Sequence, residues 1–340
     1  MQPDLWFFYE HMFRSRLFEE AVTRLWNEGR ISGEMHLSTG EEAIVAGTVL
    51  QLQDGDAMAL DHRGISPMVM RGVDMVLLLR EFLGSPEGLC RGRGGHMHLF
   101  SRPHLAASSG IVGASGPTAA GFALAARHLR PGTVALAFFG EGAMNQGMLL
   151  ESMNLAVVWN LPVVFVCKDS QWAITTVSAT VTGGKLVERA AGFGLPARKI
   201  DGTDVETMWS TAGEAIKRAR AGKGPTFLLA NCPHPEGHFL GDPLLRIARN
   251  PVKEMQKVAG PLVKSVTRVK GGSVAKRTGG LGKVTAIIGK TTRDRFLDQK
   301  EPLKIARSKL KKDKARLTKI ENSVEEEIRK VVADALELSA

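Results

Sequence analysis

A chain of 340 residues, 44% apolar and 24% charged, is long enough for one large domain or two ordinary ones. That composition excludes a mainly disordered or collagen-like chain, and no apolar run approaches the roughly 20 residues of a membrane helix. The net charge of +10 looks like a nucleic-acid signal until it is located: residues 246–316 hold 21 Lys+Arg against 5 Asp+Glu, and the rest of the chain is in deficit by 6.

The N-terminus, MQPDLWFFYEHMF, carries acids early and no small-residue cleavage site, so neither a signal nor a transit peptide is expected. Cys90, Cys167 and Cys232 are widely spaced without a C-x-x-C pattern. This argues against a disulfide framework or zinc site and for a reducing, cytoplasmic location.

The first 30 residues read as an amphipathic helix, with Phe8, Met12, Phe18, Val22, Leu25 and Trp26 near one face and Gly29 at its end. From there to about residue 245, short apolar runs alternate with helical stretches, the pattern of an α/β domain with a mostly parallel sheet. Strands are expected at Ala57–Leu60, Val134–Phe139, Val163–Cys167 and Pro225–Cys232. A helix over Asn145–Trp159 makes the second and third strands a βαβ unit. Residues 246–316, which include GGSVAKRTGGLGK, read as a partly mobile basic insertion, either solvated or a docking surface for an acidic partner. Within it Gly289-Lys290-Thr291 looks like the end of a phosphate-binding loop, but Val284 stands where that motif needs glycine. Phe296 is its one aromatic residue, so base stacking and a nucleic-acid partner are disfavoured. Residues 317–340, with Ile320, Val324, Ile328, Val331, Val332 and Leu336 at helical spacing, read as a helix docked on the 1–245 body.

Ligands of open parallel sheets bind at the carboxyl ends of the strands. Those ends carry Asp61-His62-Arg63-Gly64, Gly140-Glu141-Gly142-Ala143, Lys168-Asp169-Ser170-Gln171-Trp172 and His234-Pro235-Glu236-Gly237-His238. Gly-Glu-Gly-Ala at a helix N-terminus offers free N–H groups to a phosphate, with a cation between phosphate and carboxylate. Glu141 and Ser170, at the ends of two strands of one βαβ unit, would supply oxygens to octahedral Mg²⁺. The same pattern also suits an ordinary βαβ turn whose glycines serve packing.

GEGAMNQGMLLESMNLAVVWNLPVVFV resembles the thiamine-diphosphate motif of the alpha subunits of decarboxylating components in 2-oxoacid and acetoin dehydrogenase complexes. The likeness extends over nearly all of residues 5–245, through HLSTGEEA, HRG at 62–64, GRGGHMHLF, GIVGA and GHFLGD. It implies a doubly wound α/β fold of the thiamine-diphosphate type and a subunit that decarboxylates a 2-oxo acid or cleaves acetoin, passing the fragment to lipoamide. It further implies Mg²⁺ held by Glu141, Ser170 and the Trp172 carbonyl. The diphosphate would meet Gly142, Ala143 and Arg63, with His62 and His234 beside it, and Gly110 and Val112 would lie against the aminopyrimidine. His238 would assist proton movement near the reacting carbon. A beta-type chain would supply the activating glutamate, in an assembly of two alpha and two beta chains serving a lipoyl acyltransferase. The sequence departs from the family pattern where Glu141 replaces Asp, Ser170 replaces Asn, His234 replaces Arg and Ile65-Ser66-Pro67 replaces a histidine-rich stretch. These departures leave a second reading, a catalytically weakened subunit that serves as a structural partner of a beta-type chain.

Overall fold

The computed structural model describes residues 3–250 and 300–337, together with residues 253, 254, 257, 260 and 264. Helix α1 (Leu5–Asn27) is started by Asp4, whose carboxylate accepts the Phe7 N–H at 2.9 Å. Then follow α2 (Glu42–Val49), β1 (Ala57–Leu60), α3 (Ile65–Arg71), α4 (Met75–Phe82), β2 (Phe100–Ser101), β3 (Ala106–Ser108) and α5 (Ser115–Leu129). Strand β4 (Ala135–Gly140) runs into a 3-10 turn, Glu141–Asn145, before α6 (Gly147–Val158) and β5 (Val163–Asp169). A small hairpin, β6 (Trp172–Ala173) and β7 (Thr176–Val177), precedes α7 (Leu186–Gly192), β8 (Ala197–Asp201), α8 (Val205–Arg220) and β9 (Thr226–Asn231). The chain closes with α9 (Pro243–Arg249), α10 (Pro302–Leu310) and α11 (Lys314–Leu336).

The main sheet has seven strands in the order β2-β3-β1-β4-β5-β9-β8, parallel except for the β2–β3 pair. Its central strands are apolar throughout because both faces are covered, and their side chains divide by alternation. Leu136, Phe138, Val164 and Val166 join one core with α1, α2, α8, α10 and α11. Ala135, Ala137, Phe139, Val163, Phe165 and Cys167 join a second core with α5 and α6. Alanines on both sides of that second interface, such as Ala119 and Ala123 against Ala57 and Ala59, let α5 lie close to the sheet. Sequence order reverses between β1 and β4, a topological switch point that opens a crevice at the carboxyl ends.

All four expected strands are present, the second as Ala135–Gly140 and the last as Thr226–Asn231. Helix α6 starts later than expected, because Gln146 is extended (φ −91°, ψ 130°) and separates it from the glycine-bearing 3-10 turn. The Gly-Glu-Gly-Ala segment therefore lies in that turn and not at the start of the long helix. Most of the basic segment, including 284–291 and Phe296, lies outside the described residues. The part from Lys300 onward is built into the body: Leu303, Ala306 and Leu310 of α10 are buried, as are Leu317, Val324 and Ile328 of α11. These helices pack on α1, where Tyr9 Oη donates to Glu321 Oε1 (2.5 Å) and Arg14 meets Glu327 (2.9 Å). Among the described residues no helix is long and apolar enough to cross a membrane.

The packing makes Ile328 a core residue and leaves Glu326 on the surface. Ile328→Ala should cost about 2–4 kcal/mol in urea unfolding, whereas Glu326→Ala should leave the midpoint unchanged. Equal stability of the two variants would show that α11 does not dock as described.

Candidate active site

All eleven residues singled out in the sequence line one cavity of about 380 Å³ in the crevice between the ends of β1 and β4. They are Glu141, Ser170 and Trp172; His62, Arg63, Gly110, Val112, Gly142, Ala143 and His234; and His238. Lys168, Glu41, His36, Asp61 and Met97 line it as well and were not singled out.

The oxygen cluster follows from strand register. Gly140 on β4 stands opposite Lys168 on β5, so the residues just beyond, Glu141 and Ser170, face each other. Ser170 Oγ lies 3.3 Å from Glu141 Oε1 and donates to the Trp172 carbonyl at 3.1 Å. Gln171, at φ 64°, turns the chain so that the β6–β7 hairpin folds back. The hairpin brings in Ser178, whose Oγ donates to Glu141 Oε1 at 2.9 Å. Burial pushes the Glu141 carboxyl above its usual range and the charge of Asp169 adds to this, against hydrogen bonds from Ser178 and Ser170.

Beneath the cavity lies a buried charge cluster centred on Glu41. Glu41 accepts from Lys168 Nζ at 2.7 Å and from His234 Nε2 at 2.9 Å, with Arg63 Nε 3.8 Å away. Lys168 also pairs with Asp61 at 3.1 Å. Burial alone would raise the Glu41 pKa, but Lys168, His234 and Arg63 outweigh it and pull it down to about 2. His234 moves the other way: burial and the Arg63 charge lower it to about 4 despite the Glu41 contact. His234 is therefore a neutral hydrogen-bond donor at neutral pH and not a cation there.

Arg63 is buried rather than a surface salt bridge. Its guanidinium donates to the carbonyls of Leu37 and His238, the latter at 2.8 Å, and lies 3.3 Å from His238 Nδ1. The loop bearing His238 is thus sewn to the loop before α2. Gly40, at φ 99°, permits this approach, since a Cβ there would lie 2.1 Å from the Pro233 carbonyl oxygen. His36 packs edge-on against His62 and His238, at ring separations of 4.6 and 5.0 Å, and its Nδ1 is 2.9 Å from His96 Nε2. Burial and the charge of Arg63 keep three of them neutral, lowering His36 to about 3 and His96 to about 4, with His62 also well below its usual value. His62 Nε2 is buried without a hydrogen-bond partner, a polar atom left for a ligand of the cavity.

Residues 10–278 match the family model described as Dehydrogenase E1 component. The chain belongs to the dehydrogenase E1 component family. It is similar to the alpha subunits of acetoin:2,6-dichlorophenolindophenol oxidoreductase from Cupriavidus necator and Bacillus subtilis. The first is 43% identical over 236 residues, covering 69% of this chain and 71% of that protein. The second is 38% identical over 240 residues, 70% and 72% of the two chains. The pyruvate dehydrogenase E1 component subunit alpha of Rhizobium meliloti is 36% identical over 256 residues, 75% and 74% of the two chains. The E1 family is one of thiamine-diphosphate-dependent oxidoreductase components, and the doubly wound fold fits it.

The neutral histidines favour loss of stability in acid, opposed by the buried Glu19 carboxyl, which burial raises to about 7. Unfolded histidines take up protons near pH 6.5, whereas His36, His96 and His234 hold out to about 3 or 4 in the fold. The unfolded chain therefore binds more protons between those values, and stability falls as pH is lowered through about 6.5, by up to about 1.4 kcal/mol per histidine per pH unit. Urea unfolding followed from about pH 7 to about pH 5 should show this loss; a flat profile would contradict a neutral cluster.

Proposed function

We propose that the chain is the diphosphate-binding alpha subunit of a 2-oxo acid or acetoin dehydrogenase, with Mg²⁺ and thiamine diphosphate in the crevice between β1 and β4. The observation that carries this reading is the oxygen cluster at the end of β4 and β5. A Mg–O distance of about 2.0–2.1 Å places adjacent octahedral ligands about 3 Å apart. Ser170 Oγ already stands 3.3 Å from Glu141 Oε1 and 3.1 Å from the Trp172 carbonyl. The donor set is all oxygen, as a hard cation requires, and the unpartnered His62 Nε2 gives the cavity a further polar contact for a ligand. The residues fit the group.

Each side chain then has a task. Glu141, Ser170 and the Trp172 carbonyl hold the metal, and the N–H groups of Gly142 and Ala143 at the start of the 3-10 turn meet the diphosphate. Gly110 and Val112 bound the side of the cavity that takes the aminopyrimidine. Arg63 supplies positive charge at the wall and fixes the backbone of His238, so that the imidazole is presented to the reacting atoms for proton transfer. His234 donates to Glu41 and keeps its loop closed. When bound, thiamine diphosphate supplies the carbon nucleophile and electron sink for 2-oxo acid or acetoin cleavage.

Relatives named as alpha subunits imply a companion chain. The reading includes a beta-type chain that donates the activating glutamate, an assembly of two alpha and two beta chains, and transfer to a lipoyl acyltransferase. A reducing cytoplasm suits Cys90, Cys167 and Cys232, which are all free. A second reading, a retired subunit that only supports its partner, is favoured by one feature. Glu141 already accepts hydrogen bonds from Ser170 N and Ser178 Oγ and so has protein partners without a cation.

Calorimetry of the assembled complex separates the two. Thiamine diphosphate should bind with Mg²⁺ and be released by a chelator. Glu141→Ala should abolish binding, and Glu141→Asp should preserve or tighten it. No binding at millimolar cofactor, in the order of typical weak ligands, would leave only the supporting role. The isolated chain should turn over no 2-oxo acid, and turnover without a beta-type chain would refute the divided active site.

A further inference from the structure

One carboxylate outside the cavity is bonded as few side chains are. Glu81, in α4, is 1% exposed. Its Oε2 accepts the N–H groups of Cys90 (2.6 Å) and Gly92 (2.9 Å), and its Oε1 those of Gly94 (2.7 Å) and Gly95 (3.2 Å). Four backbone donors of one loop thus converge on a single side chain and use all the acceptor sites a carboxylate offers. The packing admits no Cβ at three of the loop's glycines. One at Gly88 would lie 2.5 Å from the Glu81 nitrogen, one at Gly92 2.5 Å from the Gly84 oxygen, and one at Gly94 2.1 Å from the His98 oxygen.

The loop leads directly into the site. His96, the next residue, backs His36 at 2.9 Å, with the two rings stacked at 5.2 Å. Met97 lines the cavity, and its Sδ is 3.0 Å from where a Cβ on Gly110 would project. The far end of the loop is pinned by Ser108, whose Oγ accepts Leu99 N and donates to the Met97 carbonyl, both at 2.8 Å. Glu81 does not line the cavity, so anything it contributes passes through the loop.

We propose that Glu81 is a positioning residue: an anionic anchor that fixes residues 88–98 so that His96 holds the His36 ring and Met97 supports the backbone at Gly110. This rests on the cofactor site proposed above. An ionised acceptor suits the task because charge-assisted bonds are stronger and shorter than neutral ones. A glutamine in its place would turn an amide NH₂ towards two of the four donors.

The test is Glu81→Gln, with Glu81→Asp beside it, in the full chain assembled with its beta-type partner. Glu81→Gln should weaken thiamine diphosphate binding roughly tenfold or more, since two charge-assisted bonds are lost. Glu81→Asp, which keeps the charge on a shorter arm, should fall between it and the wild type. Ring-nitrogen NMR of histidine-labelled, cofactor-free protein should show the His36–His96 signals displaced in Glu81→Gln. If Glu81→Gln fails to fold, hydrogen exchange on the wild type decides. The amides of residues 90, 92, 94 and 95 should be protected before any cofactor is added, and free exchange would overturn the proposal. Unchanged affinity and unchanged ring signals in a folded Glu81→Gln would overturn it too. Absence of cofactor binding by the wild type would instead refute the cofactor site, while the ring signals and exchange still judge Glu81.

Discussion

The buried carboxylate of Glu41 is the point on which the crevice depends. It is fully enclosed and surrounded by Lys168 from β5, His234 from the loop after β9, and Arg63 from the loop after β1. Through Lys168, Asp61 joins the same group. Three strand ends and the loop before α2 thus meet at one anion. Taking such charges from water costs several kcal/mol per ion, and their attraction repays this only when the geometry is complete. Here each partner is within hydrogen-bond reach or, for Arg63, within 3.8 Å, and the Glu41 pKa is held near 2. A hydrophobic cluster could fill the same space, but it would not set the direction of Arg63 or orient the His234 ring.

The same charges explain why so many histidines can sit together. His36, His62, His96 and His234 are all held neutral by burial and by the Arg63 guanidinium. Protonation of any one would add a further cation to the region that already holds Arg63 and Lys168. The site therefore presents these imidazoles as neutral hydrogen-bond donors and acceptors and not as cations. Arg63 couples the two regions, since one guanidinium faces Glu41 while its Nη2 holds the backbone of His238.

Much of this was legible in the residues. Strands β1, β4, β5 and β9 announce themselves as continuous apolar runs, because a parallel sheet covered on both sides needs nothing else. Once they were placed, the polar segments after them marked the crevice, and the family resemblance attached roles to particular positions. Strands β2 and β3, with two and three residues, and β8, whose sequence is ARKID, carried no such signal. They are strands because neighbours pair with them, an effect of tertiary context that local propensity does not contain. The Glu41–Lys168 pair was missed for a related reason. A lysine just inside the end of an apolar strand reads as the solvated edge, and its partner is 127 residues away. A better signal was available: Lys168 follows five buried apolar positions without a break, an odd place for a charge unless something inside receives it.

Helix α10 shows a converse error of scale. Averaged over residues 246–316, basic composition hides Leu303, Ala306 and Leu310, which recur at helical spacing and are buried. Charge density describes a segment; burial is decided residue by residue.

If the charge cluster builds the crevice, Glu41 and Lys168 must act as a unit in cofactor binding. The direct measurement is a double-mutant cycle with Glu41→Gln and Lys168→Met, read as thiamine diphosphate affinity in the assembled complex. Each single change leaves a buried charge without its closest partner, which costs about 3–5 kcal/mol of fold stability, and should weaken cofactor binding. The double variant should lose less than the sum of the two, with a coupling of at least about 1 kcal/mol. Losses that simply add, or a Lys168→Met variant that binds cofactor as the wild type does, would contradict the account.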